Sequence, residues 1–491
     1  MSTLAQLQPS SLWQFFEQLC KIPRPSKHEQ QISAWIQQWA IAQGLSVVSD
    51  EVGNVIIKKP ATQGMERRKT VVLQAHMDMV PQKNANINHD FLTDSIKPYV
   101  VTEADGAWVT AQDTTLGADN GIGLSSALAV LASKDIVHGP IEVLLTIDEE
   151  AGMTGAFGLK SGWLSGDILI NTDSEREGEV YMGCAGGVDA TVTFNLIMEA
   201  VPTNYQAFNL SISGLKGGHS GVDIHTGRAN ANKLLVRFLN QASSQFGIRL
   251  TELNGGSLRN AIPREAFASF VLPVEQVEPL KSALADYLAT TKENLKSIET
   301  ELTMLLIAPE QFEQMWSAEC QQQILSSLLA CPNGVIRMSD DIDGIVETSL
   351  NLGVLRCKGN KFSALCLIRS LHDDGRKQVE EMLQSLFSLA GAKLQFSGEY
   401  PGWQPDISSP IMKIVRDSYQ QLFDKTPEIM VIHAGLECGL FKTAYPHWDM
   451  VSFGPTIKFP HSPDEKVNVA SVGLYWQLLV QVLENIPAHT N

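Results

Sequence analysis

Apolar residues recur at helical spacing through residues 11–44, where Trp13, Phe16, Leu19, Ile32, Trp35 and Trp39 lie on either side of Pro23 and Pro25. This predicts helices flanking a proline break. Strands are then expected over 46–48 and 54–58. Three strongly apolar runs follow, and each finishes in polar residues. The run from Thr70 ends in His76 and Asp78. The run from Ile141 ends in Asp148, Glu149 and Glu150, with Gly152 just beyond. The run from Ile168 ends in Asp173. With a helix expected over 121–133, the alternation predicts an α/β unit with a mostly parallel sheet. Strand ends that all carry acids or histidine point to one polar site at the carboxyl edge of that sheet.

Near Gly186 and Gly187 the pattern changes. Residues 188–197, 208–213, 267–271, 345–355 and 363–370 alternate apolar and polar positions, as half-buried antiparallel strands do. Lys358-Gly-Asn-Lys361 reads as a hairpin turn. Helical runs are expected over 226–242, 275–292, 309–330 and 373–391. The first style returns near the end, with strands at 428–433 and 450–454, a helix over 436–444 and another over 469–485. The economical arrangement is one α/β catalytic domain made of 1–186 and 398–491, interrupted by an inserted α+β domain over 187–397.

Composition narrows the function. At 491 residues the chain exceeds one core. No stretch is apolar and long enough for a membrane span, and residues 1–10 lack the basic and apolar regions of a secretory signal. A formal net charge of −17 argues against nucleic acid and anionic membranes as partners. The seven cysteines are scattered without CxxC spacing, so neither a disulfide framework nor a thiolate zinc site is expected. A reducing cytoplasm follows.

The chemistry-bearing residues are imidazoles and carboxylates. In a strand, positions i and i+2 share a face, so Asp78 can stand behind His76 and hold its second ring nitrogen. Gly117-Ala-Asp-Asn-Gly-Ile-Gly123 presents Asp119 on a glycine turn opening a helix. That Asp is either a helix cap or a bridge between two cations; the loop lacks the Lys-Ser/Thr pair of a phosphate loop. Glu149 and Glu150 are neighbours and point different ways, so one can bind metal while the other acts as a base. His461 lies in a loop stiffened by prolines, and His219 in the glycine-rich segment 214–221. Asn260 and Arg369 are further polar candidates.

Taken together, HMD at 76–78, GADNGIG at 117–123, DEEAG at 148–152, NTDSE at 171–175, GGHSG at 217–221, NAIPR at 260–264, HAGLECG at 433–439 and FPHSPDE at 459–465 resemble the co-catalytic zinc aminopeptidase/aminoacylase superfamily, most closely its bacterial Xaa-His dipeptidases. The resemblance covers essentially the whole chain. It implies two divalent metal ions, zinc, cobalt or manganese, in a di-metal hydrolase domain with an inserted lid. His76 and Asp173 would hold one ion, Glu150 and His461 the other, and Asp119 would bridge them. It further implies that Asp78 orients His76, that Glu149 is the general base and that His219 stabilises the oxyanion. Asn260, Arg369, Gly435 and Glu437 would bind substrate. The implied partner is a small dipeptide such as β-alanyl-histidine, and a homodimer is compatible with it. The resemblance also implies a cis Asp119–Asn120 peptide. A sibling enzyme acting on N-acyl amino acids or longer peptides would share every ligand, and an inactive metal-binding protein would keep most of them.

Overall fold

The computed structural model describes residues 4–84, 86–309 and 311–489. Met1–Thr3, Ala85, Glu310, Thr490 and Asn491 lie outside the described residues, so the expectation for the amino terminus and part of the 309–330 helix fall partly there. The chain forms two compact units. One comprises Met1–Cys184, Trp403–Val431 and Leu436–Asn491; the other comprises Ala185–Gly402 and Ile432–Gly435.

The first unit is built on an eight-stranded sheet. Its order is Ser46–Ser49, Val55–Lys59, Ile141–Thr146, Val71–His76, Ile168–Asn171, Asp449–Ser452, Glu179–Cys184 and Glu428–Ile432. The four strands from Ile141–Thr146 to Asp449–Ser452 pair in parallel. Antiparallel pairings flank them. Every residue of Val71–His76, Ile141–Thr146 and Ile168–Asn171 is buried, because both faces of these strands are covered. One cover is the helix Ala118–Ala132, rich in Ala, Gly and Ser and buried almost throughout, which packs closely on Val71–His76. The helix Ser10–Leu19 buries Leu12, Trp13, Phe16 and Leu19 and packs on it in turn. A separate antiparallel sheet joins Ile457–Lys458, Lys466–Asn468, Gly106–Ala111 and Pro98–Glu103.

The second unit centres on a nine-stranded antiparallel sheet. Gly186–Asn195 shows the expected alternation, with Val188, Ala190, Val192 and Phe194 facing the core. Lys358 pairs with Lys361 across the predicted hairpin. The helices Ala231–Phe246, Val277–Leu295, Ala318–Ala330 and Asp373–Leu389 supply the other side of that core. Six of the seven cysteines are buried, and Cys357 is half-buried. Among the described residues, no helix is long and apolar enough to cross a membrane.

Several boundaries depart from the sequence reading. The second unit begins at Ala185 and runs to Gly402, because Lys393–Tyr400 stays paired with Gly186–Asn195 as far as Tyr400 and Gly187. It also takes Ile432–Gly435, where Ala185 N donates to Ile432 O at 3.0 Å. The strand expected to reach the acids stops at Thr146; Asp148 adopts a left-handed φ of 54° and a one-turn helix, Glu149–Gly152, follows. The helix expected from 309 starts at Ala318, after a short strand Gln314–Trp316, because the Ser317 hydroxyl caps it by accepting from Cys320 N.

Candidate active site

The polar strand ends of the first unit converge. His76, the last residue of its strand, places Nε2 3.1 Å from Asp119 Oδ1 and 3.3 Å from Asp173 Oδ1. His461 Nε2 lies 3.3 Å from Asp119 Oδ2 and 2.9 Å from Glu150 Oε2. The two oxygens of Asp119 are thus divided between the two imidazoles. Each segment owes its place to a local feature. Gly117, at φ 70°, turns the chain so that Asp119 and Asn120 leave helical geometry before the helix continues. The Asp119–Asn120 peptide is cis. Asn120 Nδ2 donates to Thr172 O at 3.0 Å and to Asp173 Oδ1. His461 lies in the turn of the Ile457–Lys458/Lys466–Asn468 hairpin, which is anchored on Gly106–Ala111. It is the exposed member of the cluster, at 50%, whereas the others range from 1% to 11%.

Behind this cluster, Asp78 is fully buried. Its Oδ1 lies 3.3 Å from His76 Nδ1 and accepts the Glu149 amide at 3.1 Å; its Oδ2 accepts the Glu150 amide at 3.1 Å and the Ser26 hydroxyl at 2.8 Å. Burial alone would raise the Asp78 carboxyl, but His76, Ser26 and these amides outweigh it and bring it down to about 2. The neighbouring acids go the other way. Burial pushes Glu149 well above its usual range. Burial and then Asp119 raise Glu150 to about 7, and the same two causes raise Glu175 to about 9. Hydrogen bonds to Asp119 and Glu150 lift His461 to about 11.

These residues fit metal ions. The nearest ligand atoms of His76, Asp119 and Glu150 all lie within 4.8 Å of one another. Nitrogen and oxygen ligands on one tetrahedral zinc, at about 2.0–2.2 Å from it, sit about 3.3–3.6 Å apart, slightly wider than the 2.9 to 3.3 Å here. Glu150 Oε1 is buried without a hydrogen-bond partner. Buried acids in this excess are held ionised most readily by cations among them.

Glu437 sits deeper in the same unit. It is 1% exposed and its Oε2 accepts from Gln74 Nε2 at 2.6 Å and Thr146 Oγ1 at 2.9 Å, tying strand ends together. Sequence reasoning also passed over Arg24 and Glu465, both buried and both bonded to backbone at the ligand turns. Glu465 stood inside a quoted motif, and Arg24 stands between the two prolines.

The remaining candidates lie in the second unit. His219 Nδ1 accepts the amides of Gly221 at 3.2 Å and Val222 at 3.1 Å, so the neutral ring carries its proton on Nε2. That nitrogen lies 3.4 Å from Arg369 Nη2. Burial and then the Arg369 charge push His219 down to about 4. Arg369, 5% exposed, donates through Nη1 to the Tyr400 hydroxyl at 2.9 Å. The Tyr400 ring lies against Gly435, where an added Cβ would be 3.1 Å from it. Asn260 has an exposed side chain, and its carbonyl accepts from Ser220 N at 2.9 Å. His433 Nε2 is 2.8 Å from Ser349 Oγ.

A mixed α/β sheet whose strand ends gather histidines and carboxylates defines a metal-dependent hydrolase. The chain belongs to Peptidase family M20/M25/M40, whose profile matches residues 72–485. It is 56% identical over 488 residues, 99% of this chain and 100% of the relative, to a cytosol non-specific dipeptidase of Escherichia coli K12. It is 58% identical to the aminoacylhistidine dipeptidase of Vibrio alginolyticus, whose crystal structure matches at a TM-score of 0.91 over 100% of this chain and 99% of that one. A tripeptidase from Staphylococcus aureus, 16% identical, shares the fold at a TM-score of 0.54 over 98% and 99% of the two chains.

Proposed function

We propose that this protein is a cytoplasmic metallo-dipeptidase that hydrolyses Xaa-His dipeptides, β-alanyl-histidine among them. The observation that carries the reading is the division of Asp119, one oxygen toward His76 and the other toward His461. The substrate class is supported by the Vibrio relative, and the E. coli relative's name extends it to other dipeptides.

His76 and Asp173 would hold one divalent ion, Glu150 and His461 the second, with Asp119 between them. Imidazole and carboxylate without thiolate suit zinc, cobalt or manganese. Bound there, the ions supply Lewis acidity toward the scissile carbonyl and the attacking water. Glu149, gripped at its amide by Asp78, takes a proton from that water as its oxygen adds to the carbonyl carbon. When the carbon–nitrogen bond breaks, the same carboxyl passes the proton to the departing amine.

The second unit contributes two donors. His219 Nε2–H and Arg369 Nη2 are neighbours that cannot satisfy each other, since both donate. Acceptors from outside resolve this, and a peptide substrate would bring two: the oxyanion for His219 and the terminal carboxylate for Arg369. Requiring that carboxylate limits the substrate to a short peptide. Asn260, Gly435 and Glu437 would be further substrate-binding residues.

The test is kcat/KM for β-alanyl-histidine and other Xaa-His dipeptides against matched Xaa-Leu dipeptides, tripeptides and N-acetyl amino acids. The Xaa-His dipeptides are expected to lead. Preference for acetylated compounds or tripeptides would move the protein to a sibling activity.

A further inference from the structure

We propose that Arg24 and Glu465 are positioning residues that set the spacing of the metal cluster by gripping the 116–119 turn from opposite sides. The inference rests on the ligand assignment above. Glu465 is 2% exposed. Its Oε2 accepts the amides of Leu116 at 2.8 Å and Gly117 at 3.0 Å, and its Oε1 those of Ala118 at 2.7 Å and Asp119 at 3.3 Å. Four successive N–H groups turned to one side form an anion-binding concavity, and here the anion is a side chain of the protein itself.

Arg24, also 2% exposed, holds the other side. Its Nη2 donates to Gly117 O at 2.5 Å, while Nη1 donates to Met77 O at 3.1 Å and Asp78 O at 2.8 Å. The Gly117–Ala118 peptide unit is therefore fixed twice, by the Glu465 carboxylate at its amide and by the Arg24 guanidinium at its carbonyl. Two glycines make room for this. A Cβ on Gly117 would lie 2.7 Å from Arg24 Nη2 and 2.8 Å from Met79 Sδ, and a Cβ on Gly121 would again lie 2.7 Å from Nη2.

The two side chains register three ligand segments. Arg24 links the His76–Asp78 strand end to the turn bearing Asp119. Glu465 links the same turn to the hairpin loop bearing His461, and its own carbonyl is anchored by the Thr110 hydroxyl at 2.8 Å. Burying two charges on either side of a neutral turn is a poor route to stability, because each pays desolvation without a direct partner. It is a good route to fixed geometry, since neither the fork of five donors nor the carboxylate tolerates a slipped register. Metal sites need ligand positions within about 0.2 Å, so a loosened turn should weaken the ion that depends on both Asp119 and His461.

The test compares metal binding by full-length wild type, Glu465→Gln and Arg24→Lys. Each metal-free protein is titrated with Zn2+ against a competing chelator, and melting is followed in parallel. A third variant, Leu479→Ala, removes a buried side chain of the helix Val469–Asn485 outside the turn and serves as the control for a general loss of thermal stability. Two binding steps are expected for the wild type. In Glu465→Gln the weaker step should lose 10–100-fold in affinity, the range found for groups that orient metal ligands, and Arg24→Lys should show the same split. Leu479→Ala should keep both steps. Unchanged binding in both site variants overturns the proposal, as does an equal loss in Leu479→Ala. A wild type that binds no pair of ions refutes the ligand assignment itself, whereas two intact steps in every variant refute only the positioning role.

Discussion

Asp78 accepts the backbone amide of Glu149 through Oδ1 at 3.1 Å. The same carboxylate holds the Glu150 amide and faces His76 Nδ1, so one buried acid orients the His76 imidazole and the turn carrying Glu149 and Glu150. Asp78→Asn presents an amide NH2 to one of these amide donors. Metal affinity or kcat/KM should fall 10–100-fold, as it does when such supporting groups are removed. A variant equal to wild type in both measurements would show that Asp78 only fills space.

Metal dependence and the division of labour between the paired glutamates are checked together. Chelation should abolish turnover, and zinc, cobalt or manganese should restore it. Glu149→Ala should lose about 10²–10⁴-fold in kcat, the range for a positioned proton shuttle, while elemental analysis finds metal content unchanged. Glu150→Ala should instead lose metal. Equal metal occupancy in the two variants would contradict the assignment.

The proposed contact between Arg369 and the substrate carboxylate exists before the transition state as well as in it, so Arg369→Ala should raise KM more than it lowers kcat. Dipeptides with an amidated carboxyl terminus should be nearly indifferent to the change. His219→Ala should act on kcat, by about 10²–10³-fold for a lost oxyanion donor. Steady-state kinetics on free and amidated substrates separates the two roles.

Acid should destabilise the second unit through two neutral histidines, the half-buried His219 and the buried His433. Burial and then Arg369 push His219 to about 4 and His433 to about 3, both below the ordinary value. The folded state therefore binds fewer protons than the unfolded state between roughly pH 6.5 and the folded values. The stability they confer is complete above that window and is lost as pH falls through it. Urea midpoints measured at pH 7 and pH 4.5 in chelator should drop less in His433→Asn than in wild type.

Much of the site was legible because its residues end apolar strands or sit in glycine turns, patterns that survive in one dimension. His76, Asp78, Asp119, Glu149, Glu150 and Asp173 all fall where the periodicity breaks. His461 carried a weaker signal, a loop stiffened by prolines, since a hairpin turn between short strands has no period; only the resemblance paired it with Glu150. Arg24 and Glu465 were invisible for a related reason. Their work is done on backbone atoms of residues far along the chain, and backbone leaves no mark in the sequence. The extra strands Pro98–Glu103 and Gly106–Ala111 were missed because they are only partly buried and alternate weakly. The split between Gly435 and Glu437, two positions apart in sequence but in different units, follows from pairing at Ala185 that no local pattern announces.

The strand order of the first sheet also has a consequence for synthesis. Asp449–Ser452 lies between Ile168–Asn171 and Glu179–Cys184. The ribosome makes the flanking strands together and the central one roughly 280 residues later, after about 15–60 s at 5–20 residues per second. Throughout that interval Ile168–Asn171, wholly apolar but for its last residue, keeps an unpaired parallel edge of the kind that recruits foreign strands. The nascent chain passes that whole interval as an open sheet, and its vulnerability to aggregation ends only when Asp449–Ser452 emerges to close it.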